Sequence, residues 1–452
     1  MEVKQTAERG NWGSKIAFIL AAAGSAIGLG NIWRFPMMVG QNGGAVFVLV
    51  YILAVILIGF TEMLCELTIG RHSQKNPVGA IEQIKPRSPW KLIGYLGILT
   101  GVCILSYYSV VAGWTLGYLI KTAAGSFKGQ INGQMTDKIF TEFSSNPWLT
   151  IIFLLVIIAI TTYIISKGVK SGIERWTKVL MPMLFILIIF LAIRALTLPG
   201  AEKGISFYLK PDFSKLNGKV ILFALGQAFF SLSLGMGTMI TYGSYISKSD
   251  NLVSSAGWVC FSDTLIALLA GIIIFPTLFA IPGLTPTEGP GLVFKVFPLV
   301  FSKIPGGTIF GILFFALLLV AAITSTISLL EVPVAYFVDE RGWSRTKAAV
   351  LMGLAAFLLG LPSALSAGAV KFLTKIDFSG WMDFIFGNLS LAFGGLLICL
   401  FVGYIWSVKK AVREISSGNP HFRLRPLWIF SVKFLSPVAI IIILFFIRTI
   451  AK

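Results

Sequence analysis

An aspartate in the middle of a long apolar run costs at least a few kcal/mol and is by default functional. Asp263 lies in "GWVCFSDTLIALLAGIIIF", about 12 residues or ~18 Å along its helix, too short a side chain to reach water past apolar flanks. Thr324 and Ser325 in "AAITSTIS" put hydroxyls into another apolar helix, where they either bond back to their own carbonyls or act as oxygen ligands. "GSAIGLGNIWRFP" sets Gly28, Gly30, Asn31, Arg34 and Pro36 inside a further apolar run, and "GQAFFSLSLGMGTMITYGSY" carries a matching Ser/Gly break from Ser231 to Gly237. Unwound backbone in lipid leaves N–H and C=O groups unpaired, at several kcal/mol each, unless something polar replaces their partners. Half-helix amino ends favour an anion and free carbonyls favour a cation. A zwitterionic amino acid with a sodium ion beside it meets both demands. A glycine packing face (Gly24 and Gly28 form G-x-x-x-G) explains the glycines but neither Asn31 nor Arg34.

These residues must be positioned by helices that cross a membrane. The chain has 452 residues, 56% hydrophobic and 12% charged, with a mean hydropathy of +0.86. A soluble domain carries about twice that charged share, and a transmembrane barrel would alternate polar and apolar residues in segments of about 10. Apolar segments run at 14–38, 42–70, 89–122, 148–166, 174–197, 219–246, 252–281, 306–338, 345–361, 380–407 and 427–450. This predicts an all-α polytopic membrane protein with about 11 transmembrane helices. Breaks in the first and sixth spans point to two inverted five-helix repeats, 14–197 and 219–407, with 427–450 appended, all in one transporter domain over 1–452. Lys and Arg number 21 on the amino-terminal side against 14 on the other, which puts the amino terminus in the cytoplasm and the carboxy terminus outside. The same rule accounts for the +18 net charge without nucleic acid. Cys65, Cys103, Cys260 and Cys399 read as small buried hydrophobes, and His72 and His421 sit beside basic loop residues. With no H-E-x-x-H and no centred G-x-S-x-G, an enzyme is not indicated, and no organic cofactor is expected.

"WGSKIAFILAAAGSAIGLGNIWRFPMMVGQNGGAVFV", "YYSVVAGWTLGY", "GQAFFSLSLGMGTMITYGSY" and "EGPGLVF" resemble signatures of the neurotransmitter:sodium symporter family, in particular its bacterial branch. The likeness covers nearly the whole chain and implies a leucine-transporter-like fold in a bacterial inner membrane. It implies two sodium ions. The first would be held by the Ala26 carbonyl, Asn31, Ser231, Asp263 and the substrate carboxylate. The second would use the carbonyls of Gly24, Ile27 and Ala321 with the hydroxyls of Thr324 and Ser325. The substrate carboxylate would meet the Leu29 and Gly30 N–H groups and Tyr108, and its ammonium the Ala26, Phe230 and Ser231 carbonyls with Ser233. Ile104, Val111, Phe230, Met236, Ser328 and Leu329 would line the side-chain pocket, with Met236 suiting varied and aromatic shapes.

Gly28 stands where relatives that carry monoamines have an aspartate, which favours a substrate with its own carboxylate. A fixed acid at Asp263 resembles a replacement for chloride, so no chloride requirement is expected. Arg34 with Asp383 matches the family's outer gate, under which Tyr108 and Phe230 form a lid. Arg9 with Asp339 matches the inner gate, packed by Trp12 and Tyr245. Glu66 resembles the glutamate that supports span six, and Gly172 with Pro182 a helix-unwinding motif. The implied activity is sodium-coupled import of hydrophobic, aliphatic and aromatic, L-amino acids by alternating access. The alternatives are a non-transporting sensor with the same site, or a narrower substrate such as tryptophan, tyrosine or leucine.

Overall fold

The computed structural model describes residues 10–129, 131–280, 292–418 and 422–446, and every regular element among them is helical. The spans are α1 Lys15–Ala26 and α2 Gly30–Gln41, α3 Ala45–Ser73, α4 Pro89–Ala123, α5 Pro147–Ser166 and α6 Val169–Leu196. Then come α7 Gly218–Ser231 and α8 Thr238–Gly243, α9 Leu252–Phe279, α10 Gly307–Arg341, α11 Arg345–Leu365, α12 Phe378–Ile405 and α13 Arg425–Phe445. Nine of these helices are long and apolar enough to cross a membrane, and α1 with α2 makes a tenth span bent by 53°. The pair α7 and α8 fills the place of the sixth predicted span, too short on either side of its break to cross alone. Polar loop residues set where spans begin: Asn146, Asn217 and Asn251 accept backbone N–H groups at the first turns of α5, α7 and α9.

Span one breaks because α1 ends at Ala26 and Ile27 turns extended, with φ −72° and ψ 104°. Span six breaks over 232–237, where Ser233, Gly235 and Gly237 all take positive φ. Glycine reaches that region without the Cβ penalty. At Gly235 a side chain is also excluded by packing, since a Cβ there would lie 2.0 Å from the Leu391 carbonyl oxygen.

Short π-helical segments interrupt several spans, including Gly30–Arg34, Val55–Gly59, Val169–Glu174, Asp383–Ser390 and Phe401–Ile405. The segment Val169–Glu174 starts α6 five residues before the expected position 174, because the wider turn after Gly168 carries the helix back through polar residues that hydropathy alone assigns to a loop. α4 packs along α10 and α11 along α5, while α1 lies against α9 and α10. The lipid side is apolar, with Ile152, Leu155, Ile186, Ile193, Leu354 and Leu358 exposed. Buried hydroxyls, amides and carboxylates collect around the two breaks instead.

Candidate substrate and ion sites

Asp263 is completely buried on α9 and forms the hub of a polar cluster beside the first break. Its Oδ1 accepts from Asn31 Nδ2 at 2.7 Å, and its Oδ2 from the hydroxyls of Ser231 at 2.9 Å and Tyr51 at 3.2 Å. Asn31 Nδ2 also lies 3.0 Å from Ser231 Oγ, and Asn31 Oδ1 accepts the Gly28 N–H at 3.0 Å. Four elements, α2, α3, α7 and α9, thereby meet at one carboxylate that no Lys, Arg or His among the described residues pairs with. An unpaired buried charge of this kind is costly, and a cation seated among these oxygens offsets it. The donor set is all oxygen, as a hard cation prefers. Tyr51 and Gln227 escaped the sequence reading. Gln227 Nε2 donates to the Gly30 carbonyl at 3.2 Å, holding the far side of the break.

The second cluster is neutral. Ser325 Oγ lies 3.4, 3.5 and 3.3 Å from the carbonyl oxygens of Ser25, Ile27 and Ala321. One hydroxyl proton among three acceptors leaves lone pairs to spare, which suits a cation. Thr324 Oγ1 bonds back to the Val320 and Ala321 carbonyls of its own helix at 3.2 and 3.0 Å. Gly24 faces it: a Cβ on Gly24 would stand 3.3 Å from Thr324 Cβ and 3.0 Å from the Met181 sulfur.

Between the clusters lies a small cavity of about 40 Å³. It is lined by Ala26, Gly30, Ile104, Tyr108, Phe230, Ser231, Ser233, Met236, Ser325, Ser328 and Leu329, as the sequence reading expects, and also by Ser25, Gly28 and Leu391. Leu29 reaches the site through its backbone, donating its N–H to the Tyr108 hydroxyl at 3.0 Å. Val111, one turn beyond Tyr108, is partly buried against the apolar cluster that includes Ile27, Leu29 and Ile32 and is not among the residues lining this cavity. At Gly28 a Cβ would sit 2.7 Å from Ser325 Oγ and 2.9 Å from the Tyr108 hydroxyl, so any acidic side chain there requires both to move.

On one side of the cavity, Arg34 lies over the Phe230 ring at 4.2 Å and donates from Nη2 to Asn388 Oδ1 at 2.9 Å. Asn388 Nδ2 in turn donates to Asp383 Oδ2 at 3.2 Å, and Tyr107 donates to Asp383 Oδ1 at 3.0 Å. The expected Arg34–Asp383 pair is thus relayed through an amide. No direct bridge joins the two charges, and neither Asn388 nor Tyr107 stood out in the sequence. On the opposite side, Trp12 Nε1 donates to the Tyr242 carbonyl at 3.0 Å, and the Tyr245 hydroxyl to Glu331 at 2.7 Å. Glu331 also pairs with Arg345. Asp339 accepts from the Asn76 backbone N–H at 3.0 Å, while Arg9 lies outside the described residues, as do His421 and most of "EGPGLVF".

Glu66 on α3 accepts the Gly235 N–H at 2.7 Å, replacing a bond the broken helix lost. Gly172 and Pro182 both lie in α6; a Cβ on Gly172 would come 2.1 Å from the Ile164 carbonyl. Glu174, two residues on, accepts the Gly13 N–H at 2.8 Å and so ties α6 to the start of α1.

Family and structural comparisons agree with this layout. The model described as the sodium:neurotransmitter symporter family matches residues 9–132 and 127–452. The chain is 42% identical over 435 residues to the uncharacterized sodium-dependent transporter YhdH of Bacillus subtilis, covering 96% of each. It is 38% identical over 450 residues to an uncharacterized sodium-dependent transporter of Haemophilus influenzae, covering 96% of this chain and 97% of that one. Among solved structures, the crystal structure of MhsT in complex with L-phenylalanine superposes with a TM-score of 0.88 at 46% identity, covering 97% of this chain and 99% of that one.

Proposed function

The chain belongs to the sodium:neurotransmitter symporter family and is a multi-pass, sodium-dependent transporter, not an enzyme; from that premise we propose that it imports hydrophobic L-amino acids with two sodium ions and without chloride. The observation that carries this reading is the cavity between the two helix breaks, apolar along Ile104, Met236 and Leu329 and edged by oxygen clusters on both sides. The Leu29 and Gly30 amides and Tyr108 hold the substrate carboxylate, while Ala26, Phe230 and Ser231 carbonyls with Ser233 take its ammonium. With glycine at position 28 there is no protein carboxylate for a bare amine, so the substrate brings its own.

Asn31, Ser231, Asp263 and the Ala26 carbonyl bind the first sodium; Gly24, Ile27, Ala321, Thr324 and Ser325 bind the second. Two cations close together in low dielectric need a nearby anion, and Asp263 supplies it, which removes the need for chloride. Met236 adapts to side chains of different shape, giving a range from aliphatic to aromatic. The relative MhsT was crystallised with L-phenylalanine, in keeping with an aromatic member of that range.

Residues 14–197 and 219–407 act as the two inverted repeats, rocking around the fixed site in a bacterial inner membrane with the amino terminus inside. Sodium couples to the motion by binding the outward-facing state more tightly than the inward-facing one. The outer gate, Arg34 with Asp383 through Asn388, closes over substrate. Release inward then needs α1 to part from α6 at Gly13 and Glu174 and the start of α6 to unwind between Gly172 and Pro182. The test is uptake of a radiolabelled hydrophobic amino acid into proteoliposomes under an inward sodium gradient, with and without chloride. Uptake that needs sodium and ignores chloride supports the proposal. Sodium-dependent binding without uptake replaces it with a sensor.

A further inference from the structure

A second group of buried, chemically active side chains lies away from the cavity and has no part in the transport scheme above. Glu62 and Cys65, one helical turn apart on α3, face Cys399 on α12. All three are completely buried, and a carboxylate oxygen and the two sulfurs lie within 4.8 Å of one another. Cys399 Sγ is 2.6 Å from Glu62 Oε2. Glu62 Oε1 has no hydrogen-bond partner, and neither has Oε2 of the neighbouring, equally buried Glu66. Buried polar atoms are nearly always satisfied, so an orphaned carboxyl oxygen of Glu62 beside two thiols calls for a ligand. A packing role for two small apolar thiols explains the cysteines but leaves that oxygen without a partner.

The geometry points to a binding site for a borderline-soft divalent cation of the zinc and cadmium class, formed by Glu62, Cys65 and Cys399. Thiolate sulfur selects such ions over sodium, calcium or magnesium. Tetrahedral zinc, with bonds of about 2.3 Å to sulfur and about 2.0–2.2 Å to oxygen, puts its ligands roughly 3.5–3.8 Å apart, so the three groups need to shift only by fractions of an ångström to one. Binding expels the two thiol protons; the two thiolates offset the charge of the ion, and the Glu62 carboxylate leaves the occupied site with one net negative charge.

The site also has leverage. Leu391 of α12 lines the substrate cavity, and Gly394 and Gly395 pack so closely that a Cβ on Gly394 would lie 2.0 Å from the Gly235 carbonyl in the break of span six. Cys399 lies one turn further along the same helix. Across the break, Glu66 holds the Gly235 N–H from α3. A metal joining α3 to α12 therefore staples together the two helices that flank the broken segment, and its effect is to arrest transport.

Titrating the purified full chain with cadmium and following the thiolate-to-cadmium charge-transfer absorption tests the site without reference to transport. Saturation at one ion per chain, displacement by zinc and reversal by a chelator are expected. Cys399→Ser should abolish the signal, and Glu62→Gln should weaken binding by at least the roughly tenfold that loss of an outer-shell partner costs. Cys103→Ser and Cys260→Ser should leave it unchanged. A single symmetrical peak in gel filtration identifies variants that have folded; should Cys399→Ser fail this, Cys65→Ala serves in its place. Absence of the absorption, or its survival in the folded cysteine variant, overturns the site. In proteoliposomes zinc should then suppress uptake at least tenfold in the parent protein and not in the cysteine variant; binding without suppression overturns the arrest.

Discussion

The two oxygen clusters beside the cavity are built on opposite principles. The one around Asp263 is made of side chains from four helices, carries a formal negative charge and is knotted together by hydrogen bonds among Asn31, Tyr51, Ser231 and Asp263. The one around Ser325 is neutral and made mainly of carbonyls exposed by the end of α1, facing two hydroxyls on α10. Taking the first apart requires four helices to part around a buried charge. The second comes apart when a single half-helix, α1, swings away. On the proposal that each cluster holds a sodium ion, the difference predicts that the ion at the neutral cluster leaves first on the inward side, because that cluster is the one whose loss costs least.

Replacing the charge is the strongest way to break this contrast. Asp263→Asn is expected to lower sodium-driven uptake in chloride-free buffer by more than about 100-fold, because removing one member of a buried charge pair costs about 3–5 kcal/mol. Added chloride should restore part of the rate; undiminished uptake in its absence would mean that Asp263 is not the compensating anion. Thr324→Val with Ser325→Ala should raise the sodium concentration for half-maximal uptake roughly 30-fold, at about 1 kcal/mol for each lost oxygen ligand, and should leave chloride irrelevant. If this double variant became chloride-dependent, the two clusters would not be separable.

Gly172→Ala puts a Cβ 2.1 Å from the Ile164 carbonyl oxygen, and on the proposed release route its effect should fall on inward release. Uptake should fall about fivefold or more, from an overpacking cost of about 1–3 kcal/mol, while sodium-dependent binding at equilibrium stays the same. A matching loss of binding would assign Gly172 to folding instead. Tyr51→Phe is the mildest, removing one hydrogen bond to the Asp263 carboxylate that is made with or without the ion, and should weaken sodium binding by roughly fivefold. An unchanged affinity would show that Tyr51 only fills space.

How much of this could be read from the residues depended on the signal each one leaves. Spans are long apolar runs, and their number and their two breaks follow from hydropathy and from Gly, Ser and Asn in the wrong surroundings. Asp263 announces itself, since charge at mid-helix has no bland explanation. Tyr51, in "VLVYILAV", does not: an aromatic in an apolar run is ordinary, and only the fold reveals that its hydroxyl meets a carboxylate. Asn388 is hidden by a different circumstance. It relays Arg34 to Asp383 from a wide-turned segment, Asp383–Ser390, whose register no α-helical spacing rule anticipates.

The π-helical turn Gly30–Arg34 has a mechanical consequence. A turn closed by i→i+5 bonds holds one residue more than an α turn, and tightening it to α displaces everything on one side by one residue step, about 100° of rotation and 1.5 Å of advance. Asn31, which donates to Asp263, and Arg34, which lies over the Phe230 ring, both ride on that single turn. They behave as two teeth on one gear: a turn that re-aims one re-aims the other, so the proposed first-sodium site and the proposed outer gate share one moving part.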